Sequence, residues 1–113
     1  QNFATESFAV ILSEARKYKL SLVVANQYIS QVQDEIQNAI FGNVWNIIAF
    51  NSGNQDAEIL AKQFKNQVSV NDITSIPRFR AYSKIMIDGN ATDVFGLSTY
   101  PIDNSLYKNL EEI

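Results

Sequence analysis

An α/β domain is what this sequence predicts, on three observations. Helical periodicity alternates with short, β-branched apolar runs over residues 5–65. The period then changes to that of two strands around a hairpin turn. A hydrophobic content of 46% in 113 residues, with 19% charged, supports one packed core and argues against disorder.

The first element is expected to be a helix over residues 5–18. Phe8, Ile11, Leu12 and Ala15 recur at the spacing of one helical face, while Glu6, Glu14 and Lys17 can face water. Glu6 near its start and Arg16, Lys17 and Lys19 near its end suit the helix dipole. Leu20-Ser21-Leu22-Val23-Val24-Ala25 then reads as a strand covered on both faces, the pattern of a parallel sheet. A helix over 30–41 follows, with Ser30 as N-cap, Gln33 at the capping-box position and Gly42 as terminator. Val32, Ile36, Ala39 and Ile40 supply its apolar stripe.

Residues 44–50, Val-Trp-Asn-Ile-Ile-Ala-Phe, form the second buried-strand candidate. Ser52-Gly53-Asn54-Gln55 turns the chain into a helix over 54–65, with Ala57, Leu60, Ala61 and Phe64 inward. A short helical turn over 71–76 is capped by Asn71 and stopped by Pro77. Residues 79–87 read as a strand, Asp88-Gly89-Asn90-Ala91 as a hairpin turn, and residues 92–99 as the return strand. The expected topology is two parallel strands with crossover helices, plus a C-terminal antiparallel β-hairpin. Residues 1–101 make one domain and residues 102–113 an acidic tail or linker.

Composition removes several function classes. Nine Lys and Arg stand against twelve Asp and Glu, net charge −3, a balance that argues against DNA binding by this segment alone, since a free-standing module usually presents a basic face. There is no Cys and no His, which excludes disulfides, thiolate or histidine catalysis and Cys/His metal sites. No carboxylate run has calcium-loop spacing, so no metal residue is assigned. No apolar run reaches the roughly 20 residues of a membrane span. The chain opens on Gln1, with neither Met nor leader, as a piece of a longer protein would.

Candidate chemistry lies at the carboxyl ends of the two apolar runs, where α/β sheets bind ligands. Asn26 and Gln27 end the first run; Asn51, Ser52 and Gly53 end the second. Amides there can touch a phosphate oxygen or orient a water, or they can simply satisfy turn backbone groups. Ser52-Gly53-Asn54 resembles a weak phosphate nest. Arg16 can reach a phosphate bidentately, or it can be a solvated cation closing a helix.

The particular words go further. Gln1-Asn2-Phe3, Ser13-Glu14-Ala15-Arg16-Lys17-Tyr18 and Leu22-Val23-Val24-Ala25-Asn26-Gln27-Tyr28 resemble the segment after Walker B in type IV secretion coupling proteins, conjugative DNA-transfer ATPases of the HerA–FtsK group. Gly42-Asn43-Val44, Phe50, Gly53, Asp56-Ala57-Glu58, Leu60, Phe64, Ile76-Pro77 and residues 84–89 continue the likeness, over roughly residues 1–101. The resemblance implies a RecA-like three-layer fold of which this chain is the C-terminal part. It implies Gln27 as a polar sensor of the γ-phosphate or attacking water, and Arg16 as an arginine finger reaching a neighbouring subunit's ATP. Asn26, Asn51, Ser52 and Gly53 are cofactor-binding candidates by their place at the strand ends alone. Asn51 stands where the family commonly has Arg, and Trp45 where a small residue is common.

The Gly-x-x-x-x-Gly-Lys-Ser/Thr loop and the acidic pair that hold triphosphate and Mg²⁺ do not occur in these 113 residues. The resemblance therefore implies ATP and Mg²⁺ in an intact parent, but no hydrolysis and at best millimolar nucleotide binding by this segment. It further implies a hexamer in the parent; for the segment, which lacks the phosphate-loop strand that such folds place between residues 20–25 and 44–50, it implies either a dimer or a rearranged sheet. DNA and secretion-channel proteins would be partners of the parent, which is cytoplasmic and held at the inner face of the bacterial inner membrane, with no membrane insertion by this segment. The alternatives are a HerA-like DNA-processing helicase or translocase and a non-catalytic α/β interaction module.

Overall fold

The computed structural model describes residues 2–102, with side chains from residue 6 onward. The tail expected over 103–113 lies outside the described residues. Helix α1 (Asn2–Glu14) continues as hydrogen-bonded turns to Lys19. There the chain enters the left-handed region, with Lys19 φ at 57°. The Leu20 N–H donates to the Ala15 carbonyl at 2.8 Å and the Lys19 N–H to that of Arg16 at 3.2 Å. These two bonds form a Schellman motif, which satisfies end carbonyls and turns the chain away.

Residues 20–25 are not the buried strand their composition predicts. They join no ladder, and the main chain of residues 21–25 makes no hydrogen bond among the described residues. Val23 is 94% exposed, and Leu20, Leu22 and Val24 are also exposed. A strand needs a neighbour for its N–H and C=O groups, and here none lies beside it. The expected parallel crossover is therefore not formed.

A 3₁₀ turn (Ile29–Gln31) leads into α2 (Asp34–Asn43), which packs on α1. Leu12 on α1 and Ile40 on α2 are buried. The predicted N-cap Ser30 is bound elsewhere, so α2 starts four residues later behind Gln33, with Asp34 and Glu35 in its first turn answering the helix dipole. Gly42 lies within the helix rather than after it.

Strand β1 (Ile47–Ala49) leads to α3 (Asn54–Gln63), α4 (Val70–Thr74) and β2 (Arg80–Lys84). The turn is tighter than expected: β3 (Met86–Ile87) pairs with β4 (Asn90–Ala91), so Asn90 and Ala91, expected in the turn, are strand. β5 (Phe95–Ser98) returns antiparallel along β2, as the expected hairpin does. The three-stranded sheet has the order β1-β2-β5 and is antiparallel throughout. The result is an α/β domain of helices and antiparallel strands. α4 is capped by Ser69 rather than Asn71: Ser69 and Asp72 exchange hydrogen bonds of 2.8 and 3.0 Å in a capping box.

Register fixes what each sheet face carries. Ala49 pairs with Tyr82 and Tyr82 with Gly96, so these three share a face. That face meets the buried Ala57, Ala61, Phe64, Val68, Ile73 and Ile76 of the α3–α4 layer. Ile48, Ser83 and Phe95 form the next row, on the opposite face, where Ile48 and Phe95 are exposed at the two outer strands while Ser83 and Ala81 of the central β2 are buried. The expected two-sided burial of residues 44–50 is thus reduced to one side.

Candidate functional site

Asp56, in the first turn of α3, organises the region that holds most of the predicted residues. Its carboxylate accepts the Ser30 N–H at 2.9 Å and the Ile29 N–H at 3.2 Å. The 3₁₀ turn is thereby docked on α3, with Gln27 two residues before it and Gly53 three residues before Asp56. Burial alone would raise the Asp56 pKa, but the Ser30 hydroxyl and the two N–H donors overcome it and hold the carboxyl below its usual value. The sequence reading counts Asp56 only within the Asp56-Ala57-Glu58 word. An acidic residue in a predicted first turn was the available signal, and it reads equally as an ordinary dipole partner.

The four polar residues and the glycine predicted at the two strand ends fare differently. Asn26 makes a local turn, its Oδ1 accepting the Tyr28 N–H at 3.0 Å. Gln27 is exposed and has no hydrogen-bond partner among the described residues. The Asn51 amide donates to the carbonyls of Thr74 at 3.1 Å and Ile76 at 2.9 Å, tying the end of β1 to the end of α4. Ser52 donates to the Phe50 carbonyl at 3.0 Å. Gly53 is the N-cap of α3, with extended backbone and open space where a Cβ would stand. Asn51 and Ser52 thus spend their donors on backbone, the bland alternative for both.

Arg16 is not part of this cluster of contacts. It lies just past α1, with its guanidinium 5.3 Å from the centre of the Trp45 ring, a cation–π contact. The structure brings Asn26, Gln27, Ser52 and Gly53 to the two sides of the Asp56 dock and leaves Arg16 against Trp45.

A triphosphate with Mg²⁺ finds a poor fit in these residues alone. The N-terminus of α3 offers backbone N–H groups, but the Asp56 carboxylate already answers its positive end and repels a second anion. No group of three or more acidic, His or Cys side chains able to hold a metal ion occurs among the described residues. A separate cleft of about 360 Å³ opens between α4 and the sheet, lined by Asn71, Ser75, Pro77, Arg80, Tyr82 and Leu97 among others. None of the predicted site residues lines it. No helix of the described residues is long and apolar enough to cross a membrane.

Comparison with protein-family models, with curated proteins and with solved structures gives no match for this chain.

Proposed function

We propose that the chain is part of an ATP-driven translocase of DNA or nucleoprotein, of the type IV secretion coupling type, and is inactive by itself. The support is the ordered series of words over roughly residues 1–101, from Ser13–Tyr18 and Leu22–Tyr28 to residues 84–89. The observation that carries the reading structurally is the Asp56 dock. It holds Ile29 and Ser30, two and three residues after Gln27, at the first turn of α3, and the Gln27 amide has no partner among the described residues. A free amide fixed at its root is what orienting a water or a phosphate oxygen requires. Arg16 is the proposed finger toward a neighbouring subunit, with ATP and Mg²⁺ held by parts outside these 113 residues. The RecA-like arrangement belongs to this proposal too: residues 20–25 would become a strand when a third segment lies between them and β1.

The test is made in an intact motor core carrying these residues. Arg16→Ala lowers hydrolysis about 10³-fold or more, as loss of an arginine finger does in GTPases, and mixing with subunits lacking a working phosphate loop restores part of it. Unchanged hydrolysis at concentrations where the hexamer forms removes the assignment. A non-catalytic interaction module is the second reading, favoured by the commitment of Asn51 and Ser52 to backbone carbonyls. The present chain binding ATP no better than an unrelated protein, together with failure of the Arg16 test, would leave that reading standing.

A further inference from the structure

Two unsatisfied pieces of this chain have matching needs. The first is the segment 20–25: apolar, rich in β-branched residues, exposed, and without main-chain hydrogen bonds over residues 21–25. The second is β1, which pairs with β2 along one edge and with nothing along the other among the described residues. We propose that a second copy of this chain satisfies both. Residues 20–25 of each protomer add as a strand to the free edge of β1 in the other, giving a two-fold dimer.

Three observations favour this occupant. Charge offers no obstacle: no charged residue lies between Lys19 and Asp34 or between residues 44 and 55. Natural edges that avoid pairing carry Lys, Pro or inward charges, and neither piece has one. The side chains also alternate suitably. Leu20, Leu22 and Val24 share one side of an extended segment and would extend the exposed apolar face on which Ile48 stands. Finally, one chain carries both donor and acceptor, so a two-fold pair satisfies both sites at once, the self-complementary arrangement of a closed dimer.

The area reaches the lower limit. Leu20 at 54%, Leu22 at 43%, Val23 at 94%, Val24 at 40%, Ile48 at 54% and Phe50 at 50% exposure are available in each copy. Side chains on the outward face stay partly in water, so with the backbone of both added strands two such pairings withdraw at most on the order of 1,000 Å², the threshold of a specific interface.

The experiment is sedimentation equilibrium on the chain as it stands, with hydrogen exchange on the same sample. The expected result is twice the chain mass at tens of micromolar protein, with slowed exchange at residues 21–25 and 47–49. Val23→Lys leaves the folded monomer intact, because Val23 is almost fully exposed, and weakens association at least tenfold by placing a charge in the added strand. A monomer at hundreds of micromolar overturns the proposal. So does a dimer whose residues 21–25 exchange freely, and so does a monomer in which they are protected, which would mean closure onto the chain's own β1. None of these outcomes depends on Arg16 or Gln27, and the dimer concerns the chain without the third strand that the motor reading places at this edge, so dimer and motor readings fail separately.

Discussion

The Asp56 carboxylate accepts the main-chain N–H of Ser30 at 2.9 Å, across 26 residues of sequence, and so decides where the chain between α1 and α2 lies. The bond satisfies a donor that a 3₁₀ turn leaves open, and it draws Ser30 away from the role of helix cap. Asp56 is 7% exposed, while Ile29 and Ser30, whose N–H groups it would abandon, are half-buried, so water replaces the carboxylate only in part. Asp56→Ala should therefore cost about 2–3 kcal/mol of stability, measured by urea denaturation. Asp56→Asn should recover only part, since an amide oxygen is a weaker acceptor than a carboxylate. Loss of less than about 0.5 kcal/mol in the alanine variant would show that the dock is incidental.

The same group sets an acid limit. Its folded pKa lies below the ordinary value because hydrogen bonds outweigh burial. A depressed carboxyl adds stability that is fully present above the unfolded pKa of about 3.9 and is lost as pH falls through the lower folded value. The urea midpoint should thus fall below about pH 4, and Asp56→Asn should flatten that fall. An identical acid profile in the variant would assign the loss to other carboxyls, Asp72 among them, whose pKa is also lowered by the Ser69 N–H and hydroxyl.

How far the fold could be read from sequence depends on what each signal encodes. The hairpin at Asp88-Gly89 and the terminator Pro77 were legible because they are local: turn residues specify their own backbone. The apolar runs were not equally legible. Residues 20–25 and 44–50 have similar composition, yet β1 forms because β2 lies beside it, while residues 20–25 have no strand beside them among the described residues. Strand propensity describes fit to a neighbour rather than a backbone preference. Ser30 and Asn51 show the same limit at the candidate site. Each was read by spacing or position, and each is claimed by a distant group, Asp56 for the first and the carbonyls of Thr74 and Ile76 for the second.

Ser83 lies in the middle of β2 with no exposed surface, and its Oγ has no hydrogen-bond partner among the described residues. A buried hydroxyl left unpaired carries a desolvation cost of about 1–3 kcal/mol. Ser83→Ala removes that cost and leaves only a small void, so it should raise stability by about 1 kcal/mol. Thermal denaturation would register this as a higher Tm. A lower Tm would reveal that the hydroxyl is paired in solution.

Arg16 and Trp45 offer an optical test of the cation–π contact, because Trp45 is the single tryptophan. Arg16→Ala should cost about 0.5–1 kcal/mol, the worth of such a contact near the surface. It should also shift Trp45 emission to longer wavelength as water replaces the guanidinium. Arg16→Lys keeps the charge but loses the planar stacking, so it should fall between the two. Emission identical in all three proteins would place the guanidinium away from the ring.

Gly89 and Asp88 both adopt positive φ, 80° and 50°, in the two-residue turn that joins β3 to β4. Two consecutive left-handed residues match the right-handed twist of a hairpin, which is why Asp-Gly stands here. A Cβ at Gly89 would meet no atom within 4 Å, so crowding is not the constraint. The constraint is the backbone itself, where a non-glycine residue costs about 1–2 kcal/mol. Gly89→Ala should lower stability by that amount and Gly89→Asn by less, since Asn tolerates the left-handed region. Equal stability of all three proteins would mean that the turn relaxes to another type at little cost, and that the β3–β4 pairing of Met86 with Ala91 does not depend on it.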